Sequence, residues 1–425
     1  MKKIAFIDLL FHWPATGGSW NDFFNVALGL QKRGFKVKLF VPDFNSYFPR
    51  GQITEDFPLD IERIPFNKYS FNFFNMPREF LRRVKKFDPD FIFMGDGYFL
   101  KPYIIKALSK WPLLLRFYSY ELICLNNKLF YADREVCKNS FFEDSKKCSK
   151  CRFQNANMFK QMIKIILDYK VDEYPFSKVM FHFSQEYIAS MAFRNSYKDL
   201  LAESISGASS VLVYNDYIRD ILVKHNKDVR IIPSGVDTEK FRPPAEKRKK
   251  GKKKILMSGR VAEYAKGLTV LENAFKLLLS KRDDIILEIT TDEYFRHFEN
   301  RFQGENFILT KWVDQDGLPS VYRDADIVVV PSIWMEPFGI VAVEAMASGV
   351  PVIASRVGGL QNIVVDGETG FLFEPGNVIE LMEKLEILLD NSVLREAMGK
   401  KGRGRVQNLY SWDKIVDNYY IPLFS

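Results

Sequence analysis

The stretch Pro331-Ser-Ile-Trp-Met-Glu-Pro-Phe-Gly-Ile-Val-Ala-Val-Glu-Ala-Met-Ala-Ser-Gly-Val-Pro351 decides the fold of the C-terminal half of this 425-residue chain. It follows an apolar strand and carries Glu336 in a loop. The loop leads at Gly339 into a predicted helix, which bears Glu344 and ends by Gly349. Because a helix start offers free N–H groups and the positive end of its dipole, this unit suits an anion or a polarised hydroxyl. Two carboxylates here would accept hydrogen bonds from vicinal hydroxyls, although surface glutamates on a packing unit give the same pattern.

Short apolar segments alternate with helix-like segments throughout the chain. In the C-terminal half the predicted strands are Lys254–Ser258, Ile285–Thr290, Asn306–Leu309, Ile327–Val330 and Val350–Ala354. In the N-terminal half they are Ile4–Leu10, Lys36–Val41, Phe91–Met94, Leu113–Phe117 and Ser210–Val213. A helix is predicted over Asn21–Lys32, with Gly34 as its C-terminal cap. The alternation predicts an α/β fold of two doubly wound, Rossmann-like domains, and we expect them to face each other across a cleft.

The length favours two domains, since a single core rarely extends beyond about 250–300 residues. We predict an N-terminal domain over 1–231, with a cysteine-containing insertion near 124–206 that fits neither strand series. A C-terminal domain is predicted over 232–410. The aromatic stretch 411–425 is predicted to form a helix that packs back on the first domain.

Composition narrows the class of protein. Hydrophobic residues make up 47% and charged residues 27%, which is typical of a globular protein, and the net charge is +8. No apolar run reaches the 18 residues of a membrane helix, and the N-terminus lacks a signal-peptide pattern, so we expect a cytoplasmic protein. The basic run Lys247–Lys254 has no interleaved aromatics and is interpreted as a linker rather than a nucleic-acid site. The aromatic, basic stretch Met158–Tyr174 suggests peripheral association with the inner face of a membrane, and core packing explains it equally well.

The pair Glu336 and Glu344 resembles the Glu-x7-Glu signature of the family-4 retaining glycosyltransferases, the glycogen-synthase-like group 1 with a GT-B fold. Further matches follow in the same order as in that family. They are Ile232-Pro-Ser-Gly-Val-Asp237, Gly259-Arg260, Lys266-Gly267, Ala325–Ser332, Pro351–Ser355, Gly358-Gly359 and Asp366–Gly370.

The resemblance implies roles for particular residues of the C-terminal half. Glu336 would contact the sugar of a nucleotide-sugar donor, and Glu344 would hold the ribose of its nucleotide. Arg260 and Lys266 would bind the donor diphosphate, whose leaving group gains negative charge that preplaced cations stabilise. Three residues at the helix start complete the implied donor site: Phe338, Gly339 and Ile340.

In the N-terminal half, Gly17 and Gly18 resemble the glycine loop of the family and would let the donor approach the backbone. They do not form the Gly-x-Gly-x-x-Gly fingerprint of dinucleotide-binding proteins, which argues against a dehydrogenase. Tyr118 stands where the family usually has a histidine, and a tyrosine there would donate a hydrogen bond to the sugar. His12 lies just upstream of the glycines and is interpreted as a loop histidine.

The resemblance implies transfer of a sugar to a glycan or lipid-linked glycan acceptor, with anomeric retention and without a catalytic cofactor. Asp324-Ala325-Asp326 resembles the Asp-x-Asp motif of metal-dependent glycosyltransferases, but its place at a helix-to-strand junction favours a structural role. Two alternatives stay open at this point. One is a nucleotide-sugar epimerase of the same fold, and the other is a non-catalytic sugar-nucleotide-binding protein.

All four cysteines of the chain lie within one short segment, at Cys124, Cys137, Cys148 and Cys151. Four clustered thiols in a reducing compartment disfavour disulfides and suggest a structural zinc site, although the first gap is long for a standard finger. Four unligated thiols remain the alternative.

Overall fold

The computed structural model of this chain forms two compact units. One unit comprises Met1–Ile232 together with Tyr420–Ser425, and the other comprises Pro233–Tyr419. The residues described by the structure are 1–15, 17–43, 52–67, 70–97, 100–121, 123–125, 127, 129, 136–155, 195–244, 251–261, 264–290 and 302–424. The stretch Met158–Tyr174, on which the expectation of membrane association depends, lies outside them.

The first unit is built on a seven-stranded parallel sheet of order β3-β2-β1-β4-β5-β6-β7. Its strands are β1 (Lys3–Ile7), β2 (Lys36–Asp43), β3 (Ile61–Pro65), β4 (Phe91–Met94), β5 (Leu113–Arg116), β6 (Ser210–Val213) and β7 (Val229–Ile231). Its helices are α1 (Gly18–Lys32), α2 (Asn75–Phe87), α3 (Lys101–Ala107), α4 (Ser145–Asn155), α5 (Asn195–Ser206) and α6 (Asp216–Leu222). Strand order reverses between β1 and β4, and ligands of such sheets bind at this reversal, outside the carboxyl ends of the strands.

The helix predicted over Asn21–Lys32 is present but begins three residues earlier, at Gly18. Gly17 is in an extended conformation and caps the helix. At the other end Gly34 takes φ +87° and donates its N–H to the carbonyl of Gln31 at 3.0 Å, which confirms its predicted role as a cap.

The second unit is built on a six-stranded parallel sheet of order β10-β9-β8-β11-β12-β13. Its strands are β8 (Lys253–Met257), β9 (Ile285–Thr290), β10 (Phe307–Thr310), β11 (Ile327–Val330), β12 (Val352–Ser355) and β13 (Gly370–Phe373). Its helices are α7 (Leu268–Leu279), α8 (Leu318–Arg323), α9 (Ile340–Ala347), α10 (Leu360–Ile363), α11 (Val378–Asp390), α12 (Ser392–Leu409) and α13 (Trp412–Ile415). The predicted α/β class with two parallel sheets is confirmed.

The core of the second unit explains why its central strands are almost wholly apolar. Helices cover both faces of a parallel sheet, so side chains on either face are buried. Ile255, Leu287 and Val329 are at most 1% exposed, and they pack in one cluster with Leu271 and Phe275 of α7. This packing fixes the carboxyl ends of β8, β9 and β11, from which the loops of the candidate site project.

The chain ends inside the first unit. After α13 it continues through a wide turn over Val416–Tyr420 and a 3-10 turn over Ile421–Leu423. Tyr420 is fully buried there, with its ring 6.0 Å from that of Phe93. The carbonyl of Phe424 accepts a hydrogen bond from Nζ of Lys2 at 2.7 Å.

Candidate active site

Lys266 is brought to the end of β11 by a turn that only glycine can make. Gly267 takes φ +78°, and a Cβ at this position would lie 1.8 Å from the carbonyl oxygen of Pro331. The N–H of Ile333 also bonds to the carbonyl of Ala265 at 2.9 Å. The turn after β8 is therefore held against the loop after β11, which carries Glu336.

Lys266 and Glu336 form a two-point ion pair at this place. The Nζ atom of Lys266 lies 3.1 Å from Oε1 and 3.0 Å from Oε2 of Glu336. Two further donors reach Oε2: the hydroxyl of Ser332 at 2.9 Å and the indole N–H of Trp334 at 2.8 Å. The ring of Trp334 also lies beneath the ammonium group, 4.8 Å from centroid to Nζ. The carboxylate is thus surrounded by donors and held in one orientation.

The surroundings of Glu336 keep it ionised. Burial alone would raise the pKa of this carboxyl, but the charge of Lys266 and the hydrogen bonds from Lys266, Ser332 and Trp334 outweigh it and hold the pKa below its ordinary value. A permanent carboxylate beside a cation can stabilise positive charge on a ligand.

The backbone around Glu336 is fixed by a close approach of two chain segments. The N–H of Gly359 donates to the carbonyl of Glu336 at 2.8 Å. A Cβ on Gly358, which has φ +47°, would lie 2.1 Å from that same carbonyl oxygen. The glycine pair noted in the sequence therefore lets the turn before α10 pack directly on the Glu336 loop.

Glu344 lies on α9, which begins at Ile340 just after Gly339, as predicted. Its carboxylate is 4% exposed and accepts a hydrogen bond from the hydroxyl of Tyr322 at 2.8 Å. Burial raises the pKa of Glu344 to about 7, although the hydrogen bond from Tyr322 and the charge of Lys240 act in the opposite direction. Glu344 therefore changes protonation state near neutral pH, whereas Glu336 does not.

The remaining residues assigned to this site lie on the same unit. Arg260 is exposed in the loop that follows β8. Phe338 is buried, with its ring 6.1 Å from that of Tyr410. Asp324 and Asp326 lie between α8 and β11, as expected, and both bind Lys254. The ammonium group of Lys254 pairs with the carboxylate of Asp324, and the backbone N–H of Lys254 donates to Oδ2 of Asp326 at 2.7 Å.

Gly17, Gly18, His12 and Tyr118 belong to the first unit. The ring of His12 lies 5.4 Å from that of Trp20, and burial lowers its pKa. Tyr118 is 7% exposed, and burial raises the pKa of its phenol well above the ordinary value. Its hydroxyl has no hydrogen-bond partner among the described residues.

Tyr118 lies beside an unusual buried arginine. Arg116 ends β5 with its guanidinium carbon 3.9 Å from the ring of Tyr214. Its Nη1 donates to the carbonyl of Ile232 at 2.8 Å, and its Nε lies 3.6 Å from Oδ2 of Asp22. This cation precedes Tyr118 by two residues, with its guanidinium carbon 5.7 Å from the centroid of the Tyr118 ring, and its charge opposes the rise in the pKa of that phenol.

Sequence reasoning missed several polar groups that the structure brings together. No role is assigned to Trp334 or Tyr322 from the sequence, although each donates to one of the two glutamates. In the first unit it missed a fully buried ion pair, in which Nζ of Lys101 lies 2.5 Å from Oε1 of Glu121. Burial raises the pKa of the neighbouring Asp8 to about 7. Lys101 begins α3, and a lysine at a helix start gives no sign in the sequence that it is buried or which residue it pairs with.

The four cysteines are thiols in the structure. Asn139 joins two of them: its backbone N–H lies 3.4 Å from Sγ of Cys137 and its Nδ2 lies 3.2 Å from Sγ of Cys148. Burial, followed by the charges of Cys124, Cys137 and Cys151, raises the pKa of Cys148 to about 12. Within the described part of the chain, no three Cys, His, Asp or Glu side chains are arranged to hold a metal in this conformation.

Residues 238–405, which include both glutamates and the Lys266 turn, match the family described as glycosyl transferases group 1. The second unit is thus similar to group 1 glycosyltransferases over most of its length. The predicted resemblance to group 1 glycosyltransferases is confirmed for the residues that carry the Lys266–Glu336 pair.

The names of curated relatives of this chain contain several different substrates. D-inositol 3-phosphate glycosyltransferase of Arthrobacter sp. is 32% identical over 254 residues, 52% of this chain and 60% of that protein. The capsular polysaccharide biosynthesis glycosyltransferase CapM of Staphylococcus aureus is 31% identical over 52% of this chain and 61% of its own length. Sulfoquinovosyl transferase SQD2 of Arabidopsis thaliana is 31% identical over 51% of this chain and 40% of its own length. The chain thus spans between 40% and 61% of the length of these three relatives.

Solved structures match the whole chain in fold. Sucrose-phosphate synthase from Thermosynechococcus elongatus superimposes with a TM-score of 0.67 at 21% identity, covering 100% of this chain and 99% of that one. HepE of Anabaena, solved in complex with UDP and glucose, superimposes with a TM-score of 0.65 at 14% identity and covers both chains fully. The fold is therefore that of GT-B glycosyltransferases. No helix among the described residues is both long and apolar enough to cross a bilayer.

Proposed function

We propose that this chain is a retaining glycosyltransferase that moves a sugar from a nucleotide-sugar donor to a glycan or lipid-linked glycan acceptor of cell-surface polysaccharide or glycolipid synthesis. The observation that carries the proposal is the Lys266–Glu336 pair, fixed by Ser332 and Trp334 at the start of a helix in a unit similar to group 1 glycosyltransferases. The complexes of HepE with UDP and with UDP-glucose support a nucleotide-sugar as donor.

The charges of the site suit glycosidic bond cleavage. As the anomeric C–O bond breaks, the sugar gains oxocarbenium character and the diphosphate gains negative charge. Lys266 has three N–H donors, and two of them suffice for the carboxylate of Glu336, so the third is left for a diphosphate oxygen. Arg260 supplies a second cation, and Glu336 stabilises the positive sugar. The acceptor hydroxyl attacks on the face from which the diphosphate leaves and passes its proton to the departing phosphate oxygen, so that configuration is retained.

The roles of the other residues follow from this arrangement. Glu344 accepts hydrogen bonds from the hydroxyls of the ribose. The donor site at the helix start is lined by Phe338, Gly339 and Ile340. Gly17 and Gly18 of the first unit let the donor approach their backbone, and Tyr118 donates to the sugar. No metal or other cofactor takes part in the proposed step. The protein acts in the cytoplasm, where nucleotide-sugars are made, and at the inner face of the membrane where the acceptor is lipid-linked.

A panel of UDP-, GDP-, ADP- and dTDP-sugars tests the proposal. A donor should raise the melting temperature of the protein, since a ligand that binds the native state stabilises it by mass action. With a glycan acceptor and EDTA present, NMR of the product should show a new glycosidic bond of the same anomeric configuration as the donor. Isomerised donor without acceptor would indicate an epimerase instead. Donor binding without release of nucleoside diphosphate would indicate a non-catalytic binding protein.

A further inference from the structure

A chain of hydrogen-bonded hydroxyls runs through the interior of the second unit and ends on Glu344. It begins at the backbone N–H of Gly259, which donates to Oγ1 of Thr290 at 3.2 Å. The hydroxyl of Thr290 donates to Oγ of Ser258 at 3.1 Å. Ser258 bonds to the phenol of Tyr322, and Tyr322 donates to Oε2 of Glu344 at 2.8 Å.

All the donors of this hydroxyl chain point in one direction. Each hydroxyl accepts from the previous group and donates to the next, and a carboxylate, which only accepts, terminates the series. Tyr322 has one phenolic proton and donates it to Glu344, so it can only accept in its bond with Ser258. Reversing any member would place two donors or two acceptors face to face.

The members of the hydroxyl chain are buried where it meets the carboxylate. Tyr322 is fully buried, and Thr290 and Glu344 are each 4% exposed. Water cannot replace a lost partner at such sites without entering the core, so each bond restricts its neighbour. The hydroxyl chain therefore joins the Glu344 side chain on α9 to the Gly259 loop, which carries Arg260.

We propose that Tyr322 is a positioning residue of the donor site, which orients the carboxylate of Glu344 toward the ribose hydroxyls and links it to the loop of Arg260. This inference rests on the proposed function, because it assumes that Glu344 receives a ribose. With one oxygen of Glu344 held by Tyr322, the other oxygen is the acceptor available to a ligand. Tyr322 does not touch the donor in this arrangement and acts through Glu344.

The hydroxyl chain also makes donor binding dependent on pH. The titratable and charged groups that act on Glu344 are Tyr322 and Lys240, and Lys240 itself pairs with Asp316 at 2.7 Å. Tyr322 and Lys240 both favour the ionised form of Glu344, which is the form that accepts hydrogen bonds from ribose hydroxyls. Removing the Tyr322 hydroxyl therefore raises the pKa of Glu344 further above about 7, and a larger part of the protein then carries the protonated form at neutral pH.

The variant Tyr322→Phe keeps the buried ring and deletes only the donor. UDP, GDP and ADP are first titrated into the wild-type chain by calorimetry, and the diphosphate that binds is used for the variants. At pH 7 we expect Tyr322→Phe to weaken its binding about tenfold, as for loss of one hydrogen bond to a charged group. The affinity should recover as pH rises to 9, and the loss should be smaller for the 2′-deoxy form of the same diphosphate.

Ser348→Ala is the matched control. Ser348 is as deeply buried, and its hydroxyl donates to the main-chain carbonyl of Glu344 at 3.0 Å and not to the carboxylate. It should leave the affinity and its pH dependence unchanged. Ser258→Ala, which interrupts the hydroxyl chain one step earlier, should act in the same direction as Tyr322→Phe but more weakly, and it serves if Tyr322→Phe fails to fold.

The possible results separate the two proposals. If wild-type protein binds a diphosphate and Tyr322→Phe binds it equally well from pH 6 to pH 9, the positioning role is overturned while the proposed function stands. Equal losses for the ribose and 2′-deoxyribose ligands would also overturn it. If the wild-type chain binds none of the three diphosphates, the proposed function fails, and the role of Tyr322 in donor binding fails with it.

Discussion

The ammonium group of Lys266 lies 3.0 and 3.1 Å from the two carboxylate oxygens of Glu336, and 4.8 Å from the ring centroid of Trp334. Neither charged group is unpaired, because the ammonium group on the turn after β8 forms an ion pair with the carboxylate on the loop after β11. Both side chains are mostly buried, at 21% and 12% exposed. A ligand that carries negative charge beside Lys266 and gains positive charge beside Glu336 would meet both partners already in place, without the cost of orienting them.

We predict that Glu336→Gln lowers turnover by about 10²–10³, the loss typical of removing one electrostatic partner of a transition state. The amide retains the shape of the side chain but cannot stabilise the oxocarbenium charge. Steady-state kinetics with donor varied at saturating acceptor would measure the effect. Glu368→Gln, which removes an exposed carboxylate of the same unit, is the control. Unchanged turnover with altered donor affinity would show that Glu336 does not act on the sugar.

The strands in the interior of both sheets are predictable from sequence because they are buried on both faces and are therefore almost continuously apolar. All ten predicted strands are present, with ends displaced by at most three residues. Among the described residues, three strands were not predicted, and all three lie at sheet edges: β3 (Ile61–Pro65), β7 (Val229–Ile231) and β13 (Gly370–Phe373). The first two are only partly buried and contain charged residues, so they lack the apolar pattern.

Only some residues of the candidate site can be assigned from the sequence. Glu336, Glu344 and Lys266 were assigned because their spacing resembles that of a known family. Tyr322 was not, because it meets Glu344 only through the packing of α8 against α9, across 22 residues of chain. Trp334 lies two residues from Glu336, but an indole N–H gives no sign in the sequence that it donates to a carboxylate and not to solvent.

For Glu344 we predict opposite effects on binding and on stability. Glu344→Gln should weaken donor binding by about 1–3 kcal/mol, since the ribose hydroxyls lose a charged acceptor. It should also stabilise the fold at high pH. The pKa of Glu344 is about 7 in the native state against 4.5 for the unfolded chain, so the native state binds more protons between these values. The free energy of unfolding of the wild type therefore falls as pH rises from 4.5 to 7.

Chemical denaturation at several pH values measures this second effect. At pH 8 the Glu344→Gln protein should exceed the wild type by about 2–3 kcal/mol in free energy of unfolding, and below pH 4 the difference should vanish. A gain that is constant with pH would mean that the carboxylate does not titrate as inferred.

The variant Tyr118→Phe tests whether the hydroxyl of Tyr118 takes part in sugar transfer or whether the side chain only packs. The hydroxyl of Tyr118 has no protein partner within the described ranges, so deleting it breaks no hydrogen bond there and should leave the melting temperature unchanged. If Tyr118 donates to the donor sugar, turnover should fall while nucleoside diphosphate affinity is preserved, because the proposed function assigns the nucleotide to residues of the second unit. Unchanged turnover would assign the sugar contact to another group.

The buried pair of Lys101 and Glu121 predicts a large effect on stability. Both side chains are fully buried, and Nζ of Lys101 also donates to the carbonyl of Arg116 at 2.9 Å. Lys101→Met leaves the carboxylate of Glu121 without its cation and should cost about 3–5 kcal/mol in free energy of unfolding. The double variant Lys101→Met/Glu121→Gln should recover much of this loss. If the double variant is no more stable than the single one, the loss comes from packing and not from the buried, unpaired charge of Glu121.

The last prediction concerns the four thiols of Cys124, Cys137, Cys148 and Cys151. We propose that they take up one zinc ion, because every cysteine of the chain falls in this segment. The segment must rearrange to do so, since no three of the described side chains are arranged to hold a metal in the present conformation. The thiol of Cys148, with its pKa near 12, is protonated at neutral pH, and a zinc ion would displace that proton by direct coordination. Gently purified, reduced protein should then contain about one zinc per chain by elemental analysis.

Cys148→Ser and Cys151→Ser should each lose the metal and lower the melting temperature, whereas Ser145→Ala at the start of the same helix should do neither. A metal bound only by the native state adds its binding free energy to folding. Chelation of the metal in the wild type should therefore lower the melting temperature as much as the cysteine substitutions do. Protein that contains no zinc or iron, and whose melting temperature does not change on addition of chelator, would leave these four residues as thiols without a metal.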